Sequence, residues 1–130
     1  MSRENVEIVR SLYDGWLHDD MGLDKLGPEI ALEESATLPG AVSAEGIVAV
    51  RRYLERFATH WEEIRFEPQE FIDADDQVVV VARLVGRGKR SGVDVTRTWA
   101  YVWTLRDGKA LRMVGFADRN EALKAVGLEE

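Results

Sequence analysis

Apolar residues recur along this chain at two different periods. Near the start, Val6, Val9, Tyr13 and Trp16 step by three and four, the spacing that forms one stripe on an α-helix. Ser2 is suited to cap that helix, and Glu4 sits in its first turn, where a negative charge meets the positive end of the helix dipole. The pattern fades at His18-Asp19-Asp20-Met21-Gly22. Leu23 to Leu26 then reads as a short helical turn stopped by Gly27-Pro28. Ile30 to Ala36 reads as a first strand. Ser43 is the expected cap of a second long helix, whose buried face is Ile47, Val50, Leu54, Phe57 and Trp61.

Beyond that helix the period falls to two, which is the signature of strands. Ile64 to Ala74 ends in the turn "DADD". Gln77 to Arg87 holds four consecutive valines, the mark of a strand covered on both faces. Val93 to Arg106 follows, and Asp107-Gly108 makes a two-residue hairpin turn into Ala110 to Ala117. Asp118-Arg119-Asn120-Glu121 has the form of a capping box for a last helix that closes at Gly127. The order predicts one α+β domain over residues 1–130, its strands ending in a four-strand meander. Long antiparallel strands twist and curl. Helices on one face of such a sheet leave a cone-shaped α+β barrel with an open mouth.

The stretch "TRTWAYVWTLRDGK" is the most informative. Arg97, Trp99, Tyr101, Trp103 and Leu105 share one face, and Thr96, Thr98, Ala100, Val102 and Thr104 share the other. The small, β-branched face suits packing against another sheet, such as that of a second copy in a homodimer. The bulky face fits beneath the helices. Its rings either fill a core or line a ligand cavity. Buried indole N–H and phenol O–H groups need partners, and three polar tips on one face favour the cavity for at least one ring.

Composition narrows the classes. Apolar residues make up 45% of the 130, and cysteine is absent, which removes disulfides and thiolate chemistry. No apolar run is long enough to span a membrane, no export-type leader is expected, and the cytoplasm is the default address. The formal charge of −7 argues against a nucleic-acid partner. The basic run Arg83 to Arg90 reads as a solvated hairpin tip. His18 and His60 are the only histidines. No ligand spacing for a metal appears, and no phosphate-binding glycine loop.

The element order, the "GRGKRSGVDV" hairpin and "VWTLRDGKALRMVGFADRNEAL" resemble the SnoaL-like branch of the nuclear transport factor 2-like (ketosteroid isomerase-like) superfamily, from about Val6 to Leu128. That resemblance implies a cup hosting cofactor-free isomerases, polyketide cyclases, dehydratases and epoxide hydrolases as well as non-catalytic binders, and relatives that are dimeric. Fold therefore does not assign the reaction. Carried over by residue, the ketosteroid isomerase tyrosine falls near Tyr13 and the general-base aspartate near Glu34. The second, protonated aspartate falls near Tyr101, so that acid is missing and steroid isomerisation is disfavoured. SnoaL-type cyclases place an aspartate near the end of the final strand, where Asp118 stands.

Candidate roles follow. Glu34 is either a base whose pKa is raised in an apolar cup or a glutamate at a wetted strand edge. Tyr13 and Tyr101 are candidate oxyanion donors, although Tyr13 with Trp16 also reads as ordinary helix-face core. Asp118 is the alternative acid, although a cap explains it fully. Trp16, Phe57, Trp61, Trp99, Trp103 and Phe116 are the expected apolar contacts of a small polycyclic ligand. Arg83 and Arg97 would pair an acid or hold a ligand carboxylate if they point inward, as would Arg112. No cofactor is expected.

Overall fold

The computed structural model describes residues 2–16, 23–34, 43–59 and 61–128. Helix α1 (Ser2–Trp16) leads, by way of a 3-10 turn at Leu23–Lys25, to β1 (Leu26–Glu34). A short β2 (Ser43–Glu45) and helix α2 (Ile47–Thr59) follow. The meander is β3 (Trp61–Ala74), β4 (Gln77–Gly88), β5 (Asp94–Arg106) and β6 (Lys109–Phe116), and helix α3 (Arg119–Ala125) ends the fold. One sheet runs β2-β1-β6-β5-β4-β3. All neighbours are antiparallel except β1 and β6, which run parallel. The expected cone of curved sheet on helices is thus built from a mixed sheet.

The four valines of β4 serve both faces, as their run predicted. Val78 and Val80 enter the main core with Val9, Leu12 and Tyr13 of α1, whereas Val79 joins Ala100, Val102 and Ala122 on the opposite side, beneath α3. We call the α1 side the inner face. The small face of β5, expected to meet another sheet, is therefore partly covered by the chain's own last helix. Thr96 and Thr98 remain exposed beyond it.

Three local expectations are corrected. The short helical turn ends at Lys25, and Leu26, Gly27 and Pro28 already lie within β1, which starts before the expected Ile30. Leu26 pairs with Ala110 and Ala31 with Arg112, so five residue steps on β1 answer two on β6. Such a bulge tolerates a proline that has no N–H to give the ladder. Ser43 belongs to β2, paired with Glu33, and does not cap α2. Gly46 takes that place: at φ +85° it donates its N–H to the Ile30 carbonyl at 2.7 Å and accepts from the Val50 N–H at 2.9 Å. Trp61 opens β3 instead of ending the helix.

Candidate functional site

The inner face of β5 forms an aromatic row whose register is fixed on both sides. Across to β4, Trp103 faces Val78, Tyr101 faces Val80, Trp99 faces Ala82 and Arg97 faces Leu84. Across to β6, Trp103 faces Met113 and Tyr101 faces Gly115. The Trp103 end of the row is sealed. Trp103 and Tyr13 are each 1% exposed, and the indole Nε1–H donates to the Tyr13 Oη at 3.1 Å. Their rings meet edge-on at 6.1 Å, and Phe71 meets Tyr13 edge-on at 6.2 Å. Burial pushes the Tyr13 phenol well above its ordinary pKa, Tyr101 adds to the rise, and the bond from Trp103 pulls the other way. Tyr13 is therefore a neutral hydroxyl at any working pH.

Two residues further along, the row opens. Tyr101 and Trp99 are half-buried. The Tyr101 ring meets Phe66 edge-on at 6.4 Å and lies against Gly115, where a Cβ would stand 3.5 Å from its Cε1. The Arg97 guanidinium stacks over Trp99, 4.5 Å from the ring centroid. Trp61 lies against Gly86, and a Cβ there would come within 2.8 Å of the indole Cε3. Only glycine lets that ring approach the strand so closely.

Glu34 is the last residue of β1. It pairs with Gly115, which in turn pairs with Tyr101, so the three form one row across adjacent strands. The side chains of Glu34, Trp16 and Phe57 lie outside the described residues, as do His18 and His60.

Three candidates are not on this face. Arg83 is on the outer side, bonded through Nε and Nη2 to Glu67 at 3.0 and 2.8 Å, and that bond holds the Glu67 carboxyl below its ordinary pKa. Phe116 packs against the outer cluster of Val79, Ala100, Val102 and Ala122. Asp118 is an exposed N-cap whose Oδ1 accepts from the Glu121 N–H at 2.9 Å. Arg112 is likewise outside, paired with Glu33 at 2.9 Å. Phe66, in contrast, escaped sequence reading. Its spacing of two from Ile64 was the available signal. Among the described residues no three His, Cys, Asp or Glu side chains converge to hold a metal, and no helix is long and apolar enough to cross a membrane.

The hydrogen-bonded Tyr13–Trp103 pair closes one end of the row, and the Tyr101 and Trp99 rings stay half-buried at the other. The sequence family described as the SnoaL-like domain matches residues 9–113. Curated proteins offer no significant sequence match. Among solved structures, TerC co-crystallised with polyporic acid is 25% identical, with a TM-score of 0.76 over 95% of this chain and 98% of that one. An NTF2-like protein from Burkholderia thailandensis E264 is 25% identical, with a TM-score of 0.77 over 95% of each. A protein from Jannaschia sp. CCS1, assigned by name to the SnoaL-like polyketide cyclases, shares the fold at 20% identity, with a TM-score of 0.78 over 99% and 95%. With the family match running from α1 into β6 and the mixed sheet of NTF2-like proteins around it, the chain belongs to the SnoaL-like family.

Proposed function

We propose that the protein binds a small hydrophobic, carbonyl-containing metabolite against the inner face of its sheet and acts on it by acid–base chemistry without a cofactor. Glu34 is the base that takes a proton α to the carbonyl, and Tyr101 donates a hydrogen bond to the enolate oxygen that forms. The observation that carries this reading is the change in burial along β5: Trp103 is sealed against Tyr13, while Tyr101 and Trp99 keep open surface. The register supports it. Neighbouring strands lie ~4.8 Å apart, so Glu34 and Tyr101, one strand either side of Gly115, have backbones roughly 10 Å apart. The residue between them has no side chain to fill that space. TerC, crystallised with polyporic acid, lends the fold a precedent for an aromatic, oxygen-bearing guest.

A second reading keeps the binding and drops the chemistry. It draws on Tyr101 standing where ketosteroid isomerases carry their second acid. We also propose that two copies pair through the outer face, where Thr96 and Thr98 are left uncovered by α3.

Native mass spectrometry of freshly purified protein identifies the guest that travels with it. With that compound, Glu34→Gln should leave affinity within about twofold while slowing turnover by roughly a hundred- to ten-thousandfold, the usual worth of a general base. Turnover untouched by Glu34→Gln overturns the catalytic role, and no turnover in the wild type leaves the binding reading.

A further inference from the structure

Four arginines on this sheet share a pattern that Arg97 does not. Arg65, Arg83, Arg87 and Arg112 lie on the outer side and each engages a carboxylate: Glu67 for the first two, Asp94 for Arg87 and Glu33 for Arg112. Arg97 lies on the inner face instead, in line with Trp99 and Tyr101 and opposite Leu84. No carboxylate among the described residues pairs with it. Its guanidinium carbon stands over the Trp99 ring, 4.5 Å from the centroid, a cation–π contact that leaves N–H donors to bond elsewhere. Its neighbours on the inner face are Phe66, Ala82, Leu84 and Gly86, all without charge. A protein of net charge −7 repels anions at long range, so an anionic guest needs a local cation of this kind.

We infer that the guest of the inner face is an anion: an acid whose charged group pairs with Arg97 and whose body of two or three aromatic rings lies along Trp99 to Tyr101. This rests on the binding reading above and names its ligand class. The length follows from the strand. Tyr101 lies four residue steps beyond Arg97, about 13 Å at the rise of a β-strand, which is the span of a two- or three-ring acid. Planar bidentate pairing to a carboxylate, sulfonate or acidic enol is what a guanidinium does and a lysine does not.

The test uses two fluorescent probes with the same ring system, 1-anilinonaphthalene-8-sulfonate and the neutral N-phenyl-1-naphthylamine. They should compete for one site on the wild-type protein. Arg97→Gln should weaken the sulfonate by about tenfold or more and move the neutral probe by less than about twofold, with melting temperature unchanged because Arg97 is exposed. Arg97→Lys keeps charge without the fork and should fall between. If the neutral probe binds but the sulfonate is indifferent to Arg97→Gln, or the two do not compete, the anion assignment is overturned and the binding reading stands. If neither probe binds the wild type, the binding reading itself fails.

Discussion

Tyr13→Phe is the substitution that best separates architecture from chemistry. It removes one oxygen and keeps the ring, so the edge-on contacts with Trp103 and Phe71 survive. What is lost is the acceptor of the Trp103 indole N–H, 3.1 Å away in a site where both residues are 1% exposed. A buried donor left without its partner costs about 1–3 kcal/mol. Unfolding entropy is about 2.1 cal/mol/K per residue near 60 °C, so a chain of 130 residues loses about 4 °C of Tm per kcal/mol. Calorimetry should therefore show a drop of about 4–11 °C. Made in a Trp103→Phe background, the same change has no N–H to orphan. It should cost less by about 1 kcal/mol, a coupling that a double-mutant cycle resolves. A drop below about 2 °C, or a cycle without coupling, refutes the claim that the phenol serves the indole. If stability holds and turnover collapses instead, Tyr13 acts on a reacting oxygen.

Asp118→Ala should destabilise by about 1 kcal/mol through loss of the α3 cap, read by urea unfolding, and should leave guest binding unchanged. A large loss of turnover at full stability would restore Asp118 as an acid. Glu70 receives both arms of the Arg119 guanidinium, at 3.0 and 3.1 Å, a bond that holds its carboxyl below the ordinary 4.5. A depressed folded-state pKa stabilises above the ordinary value and is lost as pH falls through the depressed one. Both partners are more than a third exposed, so the pair contributes under about 1 kcal/mol. Glu70→Gln should thus be slightly less stable than wild type near neutrality, and the gap should close on acidification. A gap that persists in acid assigns the effect to packing.

Much of the fold was legible because its signals are local. The meander announces itself through strict alternation and the Asp107-Gly108 turn, and Asp118 caps α3 as its motif implies. The misreadings arose where a neighbour decides. Ser43 has the chemistry of a cap, yet its backbone is claimed by β1; pairing partners are invisible to a capping rule. The face of Arg83 stayed open, because a strand apolar on both sides gives alternation nothing to point to. Face assignment failed at Phe116, since α3 supplies an apolar cover on the side where solvent or a partner was expected. The aromatic row itself was readable from β5 alone. Its division into a sealed end and an open end needed Tyr13, 90 residues away.

The parallel seam between β1 and β6 has a kinetic corollary. Its contacts join residues such as Glu33 and Arg112, 79 positions apart, whereas β3 to β6 close through short hairpins. Loop-closure entropy makes distant pairings slow to form. The C-terminal half can therefore assemble first as a template, with the N-terminal helix and strand docking afterwards. Until they dock, Trp103 has no hydroxyl to meet and the unsealed edge of β6 stays open to other chains.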